Sequence, residues 1–317
     1  MIKQIYSKGN HMKKLLAPLC ALGLLLSACG QPAASQPVED DTLHILATTY
    51  PVYLFTTAVT EGADGVEVSL LVNQQTSCLH DYTLTVADMK AIEGADVIVM
   101  NGAELEDFMD DALSASSAQV IDCSEGMSLL PAQGHEGHDH DTEYDPHIWM
   151  DATYVSAMLQ QISQSLTELD SANGDLYTQN ESAAQTALTA ADLSWREALE
   201  PYKGRSIVTF HDGFQYFANA LGLTIFKAIE EEEGSTASAQ ELAEIVDAIK
   251  VTQTYELGTM PIFTEVNGST ASADTIAREV GCQVYQLDLI MSGDGTGLQP
   301  YLDAMQQNVD TLVEALG

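Results

Sequence analysis

An α/β fold with two parallel-sheet lobes joined by a long rigid helix is the class the sequence predicts. Two observations lead there. In both halves of the 317-residue chain, short apolar, β-branched runs alternate with helical segments, as parallel strands do when crossover helices cover both faces of their sheet. Between the halves, the stretch from Asp175 to Leu199 has no Gly or Pro and is dense in Ala and Leu. At 1.5 Å per residue it makes one helix roughly 35 Å long.

In the first half the strand runs are Leu43–Thr49, Val66–Val72, Val97–Met100 and Val120–Asp122. Helical segments Leu54–Thr60, Ala87–Glu93 and Leu105–Leu113 lie between them. A polar loop, Ser124–Pro146, follows. A helix is expected from near Thr153, because Tyr154, Ala157, Met158 and Ile162 form one stripe. Pro201 and Gly204 end the long helix. The second half carries strand runs Ser206–Phe210, Leu223–Ala228, Pro261–Thr264 and Val284–Leu287. Its helices are Phe214–Leu221, Gln240–Val251, Ala273–Val280 and Leu298–Leu316. The organisation is thus a first lobe over 42–172, a linker helix over 173–200 and a second lobe over 201–317. Ligands of open α/β sheets bind beyond the carboxyl ends of strands, so the cleft between the lobes is where to look.

The N-terminus reads differently. Lys13 and Lys14 precede an apolar run from Leu15 to Leu26, which ends in Ser27-Ala28-Cys29. A basic start, a short apolar stretch and small residues make a secretory signal, and the run is shorter than the roughly 20 residues that span a bilayer. Leu26-Ser27-Ala28-Cys29 resembles a bacterial lipobox. Residues 1–28 are therefore expected to be a lipoprotein signal peptide and Cys29 the acylated residue. Gln31–Asp41 is polar, Pro-bearing and aperiodic, so 29–41 reads as a flexible tether to an extracytoplasmic membrane surface.

Charge narrows the partners. Residues 1–28 take four of the 11 Lys and Arg residues and none of the 47 Asp and Glu. Seven bases then face 47 acids, a formal charge of −40. Such a surface excludes nucleic acid, and a monomer is expected. Glu230–Glu233 reads as solvated surface. Outside the signal and Cys29, three cysteines remain: Cys78, Cys123 and Cys282. An oxidising compartment allows one disulfide among them, and Cys78–Cys123, both in the N-terminal half, is the expected pair.

The histidines carry the chemistry. His80, His147 and His211 all fall in loops that follow strand runs, and Asp288 ends the last strand run. Three imidazoles and one carboxylate suit tetrahedral Zn(II) with no position left for a catalytic water. Ca(II) or Mg(II) would need more oxygen ligands. No His-Glu-x-x-His, nucleophile elbow or phosphate loop occurs, so a metal site without a reaction is expected.

Several segments together resemble a known family: Cys29 in its lipobox, His80-Asp81-Tyr82, Asn101-Gly102, Asp145-Pro146-His147-Ile148-Trp149-Met150-Asp151, Thr209-Phe210-His211-Asp212 and Phe263-Thr264-Glu265. They are similar to the zinc/manganese solute-binding lipoproteins of metal ABC importers, of the high-affinity zinc-uptake type. The resemblance covers about 42–317. It implies a metal between the lobes, ligands at His80, His147, His211 and Asp288, and a cognate ABC permease as partner. It also implies a secondary metal loop at His135, His138 and His140, between acidic residues. Manganese-type members place a carboxylate where this chain has His211. Around His80 the chain departs from the family pattern and sets a thiol, Cys78, two residues from the ligand. Capture and delivery of zinc is the function expected. Manganese or ferrous iron as cargo, a secreted zinc hydrolase and a surface adhesin are the alternatives.

Overall fold

The structure, a computed structural model, describes residues 42–73, 79, 82–132, 143–229, 239–256, 260–266 and 268–317. The chain runs β1 (Leu43–Ala47), α1 (Tyr50–Val59), β2 (Val66–Leu70), α2 (Val86–Glu93), β3 (Val97–Met100), α3 (Asp110–Ala115) and β4 (Gln119–Asp122). Then come α4 (Ala152–Leu169) and α5 (Gly174–Leu199). The second half is β5 (Ser206–Thr209), α6 (Gln215–Ala220), β6 (Thr224–Ala228), α7 (Ala239–Glu256), β7 (Ile262–Glu265), α8 (Ala271–Val280), β8 (Val284–Leu287) and α9 (Gln299–Leu316).

Both sheets are parallel and have the same order, β2-β1-β3-β4 and β6-β5-β7-β8. The direction of winding therefore reverses between β1 and β3, and again between β5 and β7. Crevices at such reversals are where open α/β sheets bind ligands. β3 is buried along almost its whole length, which is why it reads as an unbroken apolar run; β5 is buried throughout, with Ser206 and Thr209 flanking its apolar centre.

Local signals explain the helix ends. Thr85 and Asp88 form a reciprocal capping box at α2, and the Asp151 carboxylate caps α4 by accepting from Thr153 N at 2.7 Å. On α5, Tyr177, Ala184, Leu188, Trp195 and Leu199 are buried; their spacing of seven and four keeps them on one face. Three helical segments differ from expectation by more than two residues; one of them, α7, runs on to Glu256 rather than ending at Val251. α1 starts at Tyr50 rather than Leu54, because Pro51 occupies its first turn, where a missing N–H costs nothing. The expected helix Leu105–Leu113 is a 3-10 turn, Asp107–Met109, followed by α3.

The largest core is continuous between the lobes. It runs from Ile45 and Val99 of the first sheet through Trp149 and Trp195 to Phe263 and Leu287 of the second. Smaller cores back the outer face of each sheet. Cys123 is buried within the large core as a free thiol; Cys78, its expected disulfide partner, lies outside the described residues. Burial also pushes the Cys123 thiol well up, with Glu106 and Asp122 adding to the effect. Residues 1–41, with Cys29, and Glu230–Glu233 are outside the described residues too. Among those described, no helix is long and apolar enough to cross a membrane.

Candidate metal centre

β5 delivers the chain to His211 and β7 ends at Glu265. The two strands are neighbours, so these residues meet at the winding reversal of the second sheet. His211 Nδ1 lies 3.0 Å from Glu265 Oε1. From the first lobe, the loop after β4 brings Asp145, Pro146 and His147 to the same place. Asp145 Oδ1 accepts from both the backbone N–H of His147, at 2.9 Å, and its Nδ1, at 2.8 Å. Asn101, just past β3, steadies this segment by donating Nδ2 to the Pro146 carbonyl at 2.9 Å.

Each imidazole thus has Nδ1 on a carboxylate, which assigns the proton to Nδ1 and leaves the Nε2 lone pair to face a ligand. The two Nε2 atoms stand 3.2 Å apart with the rings nearly perpendicular, at 87°. Two lone pairs that close repel unless a cation, a proton or a metal, lies between them. Tetrahedral zinc with ordinary Zn–N bonds sets its nitrogens about 3.3 Å apart. Gly213 leaves room for this approach, since a Cβ there would sit 2.7 Å from the His211 ring and 2.8 Å from that of His147.

Asp212 joins them. Its Oδ1 is 3.4 Å from His211 Nε2, and one ligand atom from each of His147, His211 and Asp212 lies within 4.8 Å of the other two. Asp288 does not belong to this group of three. It follows β8, with its backbone held by Asn308 of α9 through two 2.8 Å hydrogen bonds. Its Oδ1 accepts from Ile290 N at 2.7 Å. His80, and His135, His138 and His140 of the polar loop, lie outside the described residues. Leu79, just before His80, is buried in the core, and its carbonyl accepts from Tyr82 N at 2.9 Å.

The electrostatics follow from burial among acids. Burial alone lowers the His147 pKa, but the hydrogen bond and charge of Asp145, helped by Asp212 and Glu265, outweigh it and raise the value overall. Burial lifts the Glu265 carboxyl to about 7; His147 opposes the rise, while Asp212 and Asp288 add to it. Asp212 and Glu265 stand in segments whose likeness to the family is plain in the sequence, yet neither had a role there. The signals were adjacency to His211 for one and a strand-end position for the other.

Residues 45–315 match the family described as zinc-uptake complex component A, periplasmic (ZnuA). The chain belongs to this family. Among curated ZnuA-type relatives, the zinc-binding lipoprotein AdcA of Streptococcus pneumoniae serotype 4 is 30% identical over 95% of this chain. The chain spans only 60% of that relative's length. The high-affinity zinc uptake system protein ZnuA of Bacillus subtilis is 27% identical, covering 94% of this chain and 96% of its own. Of solved structures, SBP FpvC of Pseudomonas aeruginosa in complex with Ni2+ is similar with a TM-score of 0.73 and 26% identity. It matches 87% of this chain and 97% of its own.

Proposed function

We propose that this chain is the extracytoplasmic solute-binding component of a metal ABC importer, and that it captures Zn(II) between its lobes for delivery to a membrane permease. One observation carries the reading: two imidazole Nε2 atoms, one from each lobe and each backed by a carboxylate, stand 3.2 Å apart. His80 and Asp288 complete the proposed ligand set with His147 and His211. Asp212 is a competing carboxylate donor, on the grounds of its place in the three-residue group. The zinc-binding names of the AdcA and ZnuA relatives support the choice of cargo. The role is binding rather than catalysis, because four protein ligands leave zinc no open position for a reacting water. Acylation of Cys29, a tether over 29–41 and a monomeric state belong to the same proposal. So does a weaker, secondary site at His135, His138 and His140.

A second reading, manganese or ferrous iron as cargo, draws on Asp212, since a hard oxygen donor favours harder ions. Competition titrations of zinc against manganese, on wild type and His211→Glu, separate the two. Zinc should win by a wide margin in wild type and by less in the variant, where a third carboxylate would face Asp212 and Glu265. Equal affinities in wild type, or a ratio unchanged by His211→Glu, would exclude the zinc reading.

A further inference from the structure

The orienting carboxylate of His147 is itself held from the other lobe. Asp145 uses Oδ1 for His147, and its Oδ2 accepts from Gln215 Nε2 at 3.1 Å. Gln215 is the first residue of α6 and is buried. The same amide nitrogen donates to the Pro131 carbonyl at 3.2 Å. Beside it, the Tyr216 hydroxyl accepts from Leu130 N at 2.9 Å, and the Leu130 carbonyl accepts from Asp145 N at 2.9 Å. A carboxylate held at both oxygens resists rotation about its Cβ–Cγ bond, and the ring hydrogen-bonded to it is restrained with it. The five residues from His211 to Gln215 therefore supply one imidazole directly and fix the other through Asp145.

We propose that Gln215 is a positioning residue for metal capture: through Asp145 it locks the His147 ring opposite His211 and so presets the separation of the two ligating nitrogens before metal arrives. The proposal rests on the zinc reading above. Holding ligands ready in the free protein spares the ordering that binding would otherwise require, and partners behind metal ligands commonly change affinity by about 10–100-fold.

A double-mutant cycle tests it, with zinc as the probe. Gln215→Met keeps the side chain's length and removes its donor. It should weaken zinc binding about tenfold in the wild-type background. In an Asp145→Asn background, where the carboxylate that relays the effect is gone, the same change should cost less than about twofold. The visible spectrum of the Co(II)-loaded protein should also change in Gln215→Met, since a looser ring alters ligand geometry. Should Gln215→Met fail to fold, Gln215→Asn, whose amide stops one methylene short, reads the same cycle. Unaltered zinc affinity overturns the proposal, as does an equal loss in both backgrounds. Wild type that binds no zinc would overturn the zinc reading and this proposal together, whereas zinc-binding wild type with indifferent Gln215 variants overturns this proposal alone.

Discussion

The indole Nε1 of Trp149 donates to the Leu289 carbonyl at 2.8 Å, tying the residue two after His147 to the residue one after Asp288. Trp149 is fully buried, and its own carbonyl accepts from the Tyr301 hydroxyl of α9 at 2.8 Å. Further along the same loop, Asn73 and Gly293 exchange two hydrogen bonds. Gly295 N donates to the Tyr50 hydroxyl and Gly297 N to Thr57 Oγ1. The strand-end loops of the two lobes are thus laced together beside the site. With a shared core beneath them, capture by small local adjustment fits better than wide opening of a hinge.

Trp149→Phe should expose the value of that link. It leaves the Leu289 carbonyl without its partner inside the core and removes ring volume as well. A loss of about 2–3 kcal/mol is expected, read as a shifted midpoint in urea unfolding. A midpoint equal to wild type would contradict it.

At His147, acid should act in opposite directions on the metal-free fold and on zinc. The raised pKa means that protonated His147 is favoured in the fold. That contribution is full below the unfolded value of about 6.5 and is lost as pH rises through the higher folded value. Zinc needs the neutral ring, so its affinity should begin to fall on acidification at a pH above about 6.5. Asp145→Asn removes the partner that retains the proton and should move the onset to lower pH, although overall affinity drops. Zinc competition measured between about pH 5 and 8 decides the matter; an unmoved onset would count against this account of Asp145.

Glu106 offers a separate pH signature in the first lobe. Its buried carboxyl accepts from Thr48 Oγ1, Asn101 N and Gly102 N. Burial raises it to about 7, against the pull of those donors. The protonated form is thus favoured by folding. Its contribution is full below the unfolded value of about 4.3 and fades as pH climbs to about 7, a change on the order of 3 kcal/mol. Glu106→Gln should flatten the stability profile over that interval. The same slope in both proteins, measured by urea unfolding at several pH values, would rule out Glu106 as its source.

Much of the fold was legible because the strands are short and rich in β-branched and other apolar residues. β3 and β8 have the bounds their residues suggested, and the others differ by one or two residues at their ends. α1 begins four residues before Leu54, because the first helical turn tolerates Pro51. Strand-end histidines were visible one by one, but the meeting of His147 with His211 spans 64 positions. Glu265 meets His211 because β7 lies beside β5 although β6 comes between them in the chain, and sequence order does not display that adjacency. Gln215 was hidden for the same reason, its partner Asp145 being 70 positions away.

Calorimetric titration of Zn(II) into metal-free wild type, His147→Ala, His211→Ala and the double variant asks whether these two imidazoles hold the metal. One tight site in wild type is expected, weakened at least about 100-fold in either single variant, since even partners behind metal ligands cost up to that much. Tight zinc binding that survives in the double variant would mean that the metal is held somewhere other than between these two imidazoles.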